Sequence, residues 1–363
     1  MALSAHDSTR ASGTTLPVHP LRQLQIEKIV VFRALQLGDM LCSVPALRAL
    51  RAAFPHAHVT LAGLPWAEQF ARRFRAYVDE FAAFPGHPAL PEQAVQEDRI
   101  PGFYRHMRER RFDLALQLHG SGQISNAIVR GFGARHDAGF VLAAGSQHPD
   151  TRRPDTRRPE ARRPDFFAEY PEHGAEPLRL LRLLEHLGVP AAGIDLEFPL
   201  TAEDERELRD SGVAAGLPRG GYICIHPGAR MRHRCWPPQL FAQVADALAQ
   251  ETGLQVVLTG AASEADLTAA IAQCMQTPAI DAAVPLSIGA MAAMMARARG
   301  LICNDTGVSH IAAGLKLPSV VVFGRADMER WGPLDRRLHR CIRGAEGGAA
   351  ITAEARDLLN ATG

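Results

Sequence analysis

The sequence predicts an α/β protein with two parallel sheets that face each other across a cleft. Short apolar segments alternate with amphipathic helical segments from Ile26 onward, and the alternation starts again near residue 222. Strands that alternate with helices form parallel βαβ units, whose sheets are covered by helices on both faces. A chain of 363 residues has the length of about two such domains. We therefore predict two Rossmann-like domains.

Three strands are predicted in the first half, and a helix follows the first of them. The segment MLCSVPALRALRAAF (40–54) predicts one helix, because Leu47, Leu50 and Phe54 recur on one face. The strands are IVVF (29–32), HVTLAG (58–63) and DLALQL (113–118).

The second half repeats this pattern with four predicted strands. A helix over 239–250 follows the first of them and is opened by proline near its first turn. We place the domain division at 205/206, in a polar stretch that becomes rich in glycine and proline, so the domains span 26–205 and 206–363. The strands lie in YICIHPG (222–228), LQVVLTG (254–260), LICND (301–305) and SVVVFG (319–324).

Two segments break the alternation. Residues 1–25 lack the apolar core of a signal peptide and predict a disordered lead-in. The insertion 145–168 contains the repeat TRRPD-TRRPE-ARRPD (151–165), in which recurring proline excludes a helix or a central strand. An extended, solvated segment explains this repeat, and a basic arm that contacts anionic lipid headgroups or an anionic acceptor is the alternative.

Composition and missing motifs narrow the class of protein. The formal net charge of +1 predicts no nucleic-acid partner. No stretch approaches the roughly 18 apolar residues of a membrane span. The chain has no GxGxxG after its first strand, no Walker lysine loop, no GxSxG and no His/Cys/Asp cluster with metal-ligand spacing. We expect a cytoplasmic enzyme or binding protein without a metal or cofactor.

The segment NDTG (304–307) is the strongest candidate for an anion site. It lies at the mouth of a predicted helix, after a strand, and ligands of open parallel sheets bind beyond the carboxyl ends of the strands. Asp305 or Thr306 would cap the helix, while Gly307 lets a ligand approach amides that suit phosphate. His310 lies off the apolar stripe and would add a donor. Ordinary helix caps and a surface histidine are the alternative.

The loop HPGARMRHRCWPP (226–238) places three arginines after another strand, at Arg230, Arg232 and Arg234. Guanidinium groups neutralise a diphosphate and pair bidentately with its oxygens. A solvated basic loop explains the cluster equally well. We expect Trp236 to pack between this loop and the following helix.

Asp39 is the lone acid of LQLGD (35–39), the loop that leaves the first strand. If the loop faces the cleft, Asp39 is a candidate general base that deprotonates an attacking hydroxyl. An N-cap is the alternative. His119 and Gln123 follow the third strand and would line the acceptor side, although a plain loop explains them equally well.

Three stretches in order resemble glycosyltransferase family 9, the heptosyltransferases of the lipopolysaccharide inner core. They are IVVFRALQLGDMLCSVPALRALRAAFPHAHVTL, IHPGARMRHRCWPPQLFAQVADAL and CNDTGVSHIAAGLKLPSVVVFG. The resemblance extends from about Ile26 to about Pro333 and is poor between 140 and 175.

This resemblance implies a GT-B architecture and an inverting transfer from a nucleotide sugar, typically ADP-heptose, to a lipopolysaccharide core without a metal. Asp39 would be the base. The DTG-x-x-H element falls on Asp305, Thr306, Gly307 and His310, which would hold the donor diphosphate.

Two further donor residues follow from the resemblance. A basic residue that is commonly lysine in the family falls on Arg234. The acid that contacts the nucleotide ribose falls on Glu264. Peripheral attachment at the inner face of the inner membrane is also implied, because the acceptor is lipid-linked.

Two alternatives remain open. One is a GT-B enzyme that uses another nucleotide sugar and acceptor, because the motifs do not determine which sugar is bound. A non-enzymatic two-domain protein that closes on a small anion would need no aspartate in the cleft. A third class, the nicotinamide oxidoreductases, is disfavoured because the sequence does not contain their glycine fingerprint.

Overall fold

The computed structural model describes residues 21, 24–143 and 166–362, and it confirms the predicted α/β class. These residues form two six-stranded parallel sheets, one in each half of the chain. The predicted lead-in (1–25) lies almost entirely outside the described residues. The Arg/Pro repeat (151–165) lies wholly outside them, as does most of the predicted insertion 145–168.

The first sheet has the order β3-β2-β1-β4-β5-β6 and the second has the order β12-β11-β10-β7-β8-β9. The strands are β1 (Lys28–Phe32), β2 (His58–Gly63), β3 (Glu80–Ala83), β4 (Leu114–Gln117), β5 (His136–Val141), β6 (Phe167–Glu169), β7 (Tyr222–His226), β8 (Gln255–Thr259), β9 (Ala279–Ala282), β10 (Gly300–Asn304), β11 (Ser319–Phe323) and β12 (His339–Arg343).

Helices connect the strands and cover both faces of each sheet. They are α1 (Leu37–Cys42), α2 (Val44–Ala53), α3 (Glu68–Arg73), α4 (Ile100–Glu109), α5 (Ser125–Arg130), α6 (Glu176–His186), α7 (Ala202–Ser211), α8 (Pro238–Thr252), α9 (Ala265–Cys274), α10 (Ile288–Met295), α11 (Gly307–Leu315), α12 (Met328–Trp331) and α13 (Gly347–Ala361). Among the described residues, none of these helices has the length and apolarity needed to span a bilayer.

The strand order decides where a ligand can bind. In the first sheet, β1 and β4 are neighbours, and the chain continues from β1 to β2 on one side and from β4 to β5 on the other side. In the second sheet, β7 and β10 are neighbours, and the chain continues from β7 to β8 and from β10 to β11 on opposite sides. The loops that leave such a pair of strands separate and open a crevice at the carboxyl edge. β7, β10 and β11 are buried along their whole length, as expected for central strands of a sheet covered on both faces.

The helix predicted over 40–54 is two helices rather than one, α1 and α2. Pro45 lies in the first turn of α2 and has no N–H to donate to the preceding turn. At the break, the Ser43 hydroxyl donates to the carbonyl of Met40 over 2.6 Å. Asp39 therefore belongs to a separate short helix at the exit of β1.

The predicted domain division at 205/206 falls inside α7, and this boundary stays a prediction. Thr201 caps α7 in a capping box with Asp204. Asp204 also pairs with Arg73 of α3 over 2.6 Å, while α7 packs against α10 of the second half. The segment is thus in contact with both halves.

Candidate functional site

The two halves touch where the first turns of α1 and α11 meet. A Cβ atom on Gly38 would lie 2.9 Å from Cδ2 of His310 and 3.4 Å from Cα of Gly307. A Cβ atom on Gly307 would lie 3.2 Å from Cβ of Leu37. Two facing glycines therefore permit an approach that side chains would prevent.

A cavity of about 330 Å³ opens beside this contact, beyond the carboxyl ends of β7, β8 and β10. Its volume falls within the roughly 300–1,000 Å³ range of small-molecule sites. Both halves contribute to its walls. The polar residues and glycines among its lining are Gln36, Gly38, His226, Arg230, Gly260, Glu264, Ser287, Thr306 and Gly307.

The N-terminus of α11 supplies the anion-binding part of the cavity. Thr306 occupies the N-cap position but makes no side-chain cap bond, so the prediction of side-chain capping by Asp305 or Thr306 is wrong. Amides of a helix's first turn have no partner within the helix. Gly307 and Val308 line the cavity, and their amides together with the helix dipole suit a phosphate group.

Asp305 and Arg234 pair with each other at the edge of this site. The Arg234 guanidinium lies 3.6 Å from the Asp305 carboxylate, and its side chain is 41% exposed. Burial raises the pKa of Asp305, an effect that the charge of Arg234 opposes. Arg232 instead forms an ion pair with Asp266 over 2.8 Å. Of the three loop arginines, Arg230 lines the cavity, whereas Arg234 is not among its lining residues and reaches Asp305 instead.

Glu264 lines the cavity in a fixed orientation. One carboxylate oxygen accepts a hydrogen bond from the amide of Ala261 over 2.9 Å. The other lies against Gly228, where a Cβ atom would come within 2.1 Å of it. A carboxylate held in this way suits the paired hydroxyls of a ribose.

Asn304 links two loops through its side chain, a role that the sequence did not indicate. Its buried side-chain amide donates to the carbonyl of Pro227 over 2.6 Å and accepts from the backbone N–H of Trp236 over 3.0 Å. It thus ties the exit of β10 to the arginine loop. Trp236 packs edge-on against Phe241 and donates to the carbonyl of Gly344, which confirms its predicted packing role.

His310 is buried, so the alternative of a surface histidine is wrong. Its Nδ1 lies 3.8 Å from the sulfur of Cys42, and burial lowers its pKa to about 4. The neutral ring packs against Gly38 and lines a second cavity of about 120 Å³, together with Arg330. It is absent from the lining of the larger cavity, and its contact with a diphosphate stays a prediction.

Asp39 presents an uncommitted carboxylate at the contact between the halves. The N-cap of α1 is Gln36, which excludes the cap alternative for Asp39. Among the described residues, no other side chain hydrogen-bonds its carboxylate, while its carbonyl accepts from Nε of Arg33 over 2.9 Å. Burial raises its pKa, Glu176 adds to this effect, and the charges of Arg33 and Arg330 oppose it. A half-buried carboxylate of this kind suits a general base.

His119 supports the loop on the acceptor side. Its Nδ1 accepts the amide hydrogen of Ala34 over 3.2 Å, and its ring stacks on Phe32. Burial and the charge of Arg33 lower its pKa to about 3, so the ring is neutral and carries its proton on Nε2. Gln123 is half-buried on the same loop.

Glu92 is a cleft residue that the sequence analysis did not identify. Its carbonyl accepts from Arg230 over 3.4 Å, across the two halves. Its Oε2 is buried without a hydrogen-bond partner among the described residues, and burial raises its pKa. Glu92 is the single acid of a loop rich in proline and alanine (85–96), and such a loop gives no sequence signal for this position.

Two six-stranded parallel sheets with a cavity between their carboxyl edges form the GT-B fold. The model of glycosyltransferase family 9 (heptosyltransferase) matches residues 102–358. The chain belongs to this family and is a glycosyltransferase. No three His, Cys, Asp or Glu side chains within the described ranges are grouped so as to hold a metal ion.

Similarity to individual proteins agrees with this assignment. The chain is 28% identical over 333 residues to lipopolysaccharide heptosyltransferase 2 of Salmonella typhimurium LT2, covering 87% of this chain and 88% of that protein. It is 33% identical over 167 residues to lipopolysaccharide heptosyltransferase 3 of Escherichia coli K12, covering 45% and 48%. The E. coli structure described as ADP-heptose lps heptosyltransferase II superposes with a TM-score of 0.68 at 20% identity, covering 92% and 98%.

Proposed function

We propose that this protein transfers a heptose from ADP-heptose to a lipopolysaccharide core acceptor with inversion at the anomeric carbon. One observation carries the proposal. The uncommitted carboxylate of Asp39 and the anion-binding N-terminus of α11 belong to the two helices that meet at the Gly38–Gly307 contact. The choice of sugar and acceptor is supported by the names of similar proteins, which are lipopolysaccharide heptosyltransferases, one of them described with ADP-heptose.

The second domain, residues 206–363, binds the donor in this proposal. The amides of Gly307 and Val308 and the hydroxyl of Thr306 hold the diphosphate, and the guanidinium of Arg234 neutralises it. Negative charge grows on the diphosphate as it leaves, and donors already aimed at that position stabilise the transition state. Glu264 accepts hydrogen bonds from the ribose hydroxyls.

The first domain, residues 26–205, binds the acceptor. Asp39 takes the proton of the acceptor hydroxyl while its oxygen attacks the anomeric carbon. The new C–O bond forms on the face opposite the breaking bond to phosphate, so ADP leaves and the configuration inverts. His119 and Gln123 line the acceptor side. A lipid-linked acceptor also implies peripheral contact with a membrane surface.

The proposal is tested by measuring nucleotide release from ADP-heptose, UDP-sugars and GDP-sugars, with and without deacylated core lipopolysaccharide. We expect ADP release that requires both ADP-heptose and the acceptor and continues with a chelator present. Turnover with a different nucleotide sugar would contradict the donor assignment. Tight nucleotide binding without turnover of any donor would favour an anion-binding protein and contradict the whole proposal.

A further inference from the structure

A buried cluster of charges links the second half of the chain to Asp39. Its centre is Glu176, the first residue of α6, which is 3% exposed. Three arginines surround this carboxylate: Arg33, Arg179 and Arg330. Arg33 and Arg179 belong to the first half, whereas Arg330 reaches in from α12 of the second half.

Arg33 fixes the backbone that carries Asp39. Its side chain is fully buried and uses all three of its nitrogens. Nε donates to the carbonyl of Asp39 over 2.9 Å, Nη1 donates to the carbonyl of Leu118 after β4, and Nη2 donates to Glu176 over 3.2 Å. The start of α1, the exit of β4 and the start of α6 are therefore held by one rigid guanidinium.

Arg330 binds the opposite side of the same carboxylate. Its Nε lies 3.0 Å from Oε2 of Glu176, and its Nη2 donates to the hydroxyl of Tyr170 over 2.9 Å. Its side chain is 28% exposed, so it occupies the rim of the cluster. These bonds form only when the two halves are together.

Arg330 sets the net charge of the cluster. Within the first half, Arg33 and Arg179 balance Glu176 and Asp39. Arg330 adds one positive charge, and a nearby positive charge favours the ionised form of a carboxylate.

The other titratable groups around Asp39 do not supply this charge. His310 on α11 is neutral, and burial raises the pKa of the Cys42 thiol on the next turn of α1. Glu92 and Asp305 are acids that interact electrostatically with Asp39, and an additional negative charge disfavours ionisation.

We propose that Arg330 is a positioning residue that acts across the cleft. By binding Glu176 it holds the two halves together in the arrangement that the structure has, and its charge favours the ionised form of Asp39 there. Asp39 then takes the proton of the acceptor only when the donor-binding and acceptor-binding halves are in contact. This inference rests on the proposed function, since it takes Asp39 to be the base.

The test compares Arg330→Gln, Arg330→Lys and, as a matched control on the same segment, Arg337→Gln, whose side chain is 96% exposed. kcat/KM is measured across pH with ADP-heptose and acceptor. Because a carboxylate that loses a positive neighbour ionises at higher pH, we expect Arg330→Gln to lower the ratio of activity at about pH 5 to that at about pH 8 roughly threefold or more. Arg330→Lys and Arg337→Gln should keep the wild-type ratio.

A purely structural role for Arg330 would reduce activity equally at all pH values, so an unchanged ratio in Arg330→Gln would overturn the inference. The same shift in Arg330→Lys as in Arg330→Gln would also overturn it, because lysine keeps the charge. Small-angle X-ray scattering with ADP gives a second readout, in which Arg330→Gln should have a larger radius of gyration than the wild type.

Asp39→Asn separates this inference from the proposed function. If Asp39→Asn is inactive while Arg330→Gln keeps the wild-type ratio, the role of Arg330 is wrong and the base assignment stands. If Asp39→Asn retains full turnover, the base assignment fails and the inference fails with it.

Discussion

Replacing Gly38 by alanine places a methyl group into the contact between α1 and α11. The new Cβ atom would lie 2.9 Å from the ring of His310 and 3.4 Å from Cα of Gly307, where ordinary contacts are 3.4–4 Å. His310 is buried and cannot move freely, so the helices must separate by about half an ångström or more, as closely packed interiors require. Overpacking of this kind costs about 1–3 kcal/mol.

The larger effect of Gly38→Ala is expected on catalysis. The displacement moves Asp39, the next residue, away from the N-terminus of α11, and a misplacement of about 1 Å can cost roughly a hundredfold in rate. We therefore expect kcat/KM for ADP-heptose to fall by about ten- to a hundredfold. Coupled ADP-release kinetics measure this loss, and thermal unfolding measures the accompanying loss of stability.

Gly102→Ala is the matched control for Gly38→Ala. Gly102 lies in α4, and no atom comes within 4 Å of the position that the added methyl group would occupy, so alanine fits there without a clash. Alanine has the better helix propensity by about 1 kcal/mol, so this variant should be at least as stable as the wild type. If Gly38→Ala kept the wild-type kcat/KM and unfolding temperature, the reasoning about the glycine contact would be refuted.

Three further predictions concern the donor site and the base. Glu264→Gln should raise KM for ADP-heptose by about tenfold, since hydrogen bonds to a charged group are worth about 1.5–3 kcal/mol; an unchanged KM in steady-state kinetics would contradict ribose binding. Asn304→Ala leaves the carbonyl of Pro227 and the N–H of Trp236 without this partner. The free energy of unfolding in urea should fall by at least about 1–3 kcal/mol, and wild-type stability would show that these hydrogen bonds do not stabilise the fold. Burial raises the pKa of Asp39, so the pKa that limits kcat/KM on the acid side should lie above the ordinary aspartate value of about 4. This acid limb should disappear in Asp39→Asn. A limiting pKa at or below about 4 would exclude Asp39 as the titrating group.

The central strands were predictable from the sequence, while the edge strands and β5, which lies next to the edge strand β6, were not. β7, β10 and β11 are apolar runs buried along their length, which is how a central parallel strand appears in a sequence. β3 and β6 have three or four partly exposed residues without periodicity, and their pairing with a neighbour decides their conformation.

The candidate site was predictable where function depends on local sequence. A strand exit that leads into a helix N-terminus is visible in NDTG and in LQLGD. The burial of His310 was not visible, because it depends on α1, which lies far away in sequence. The cluster of Arg33, Glu176 and Arg330 joins residues more than 140 positions apart, and no local pattern encodes such a contact.

The central claim is that Asp39 is the base of an inverting transfer, and comparing the wild type with Asp39→Asn tests it most directly. ADP release from ADP-heptose and acceptor would be measured together with ADP affinity and the anomeric configuration of the product by NMR. We predict an inverted product from the wild type and a loss of at least about a hundredfold in kcat for Asp39→Asn, because general base catalysis contributes roughly 10²–10⁴-fold, with ADP affinity unchanged. A product with retained configuration, or an Asp39→Asn enzyme with the wild-type kcat, would contradict the claim.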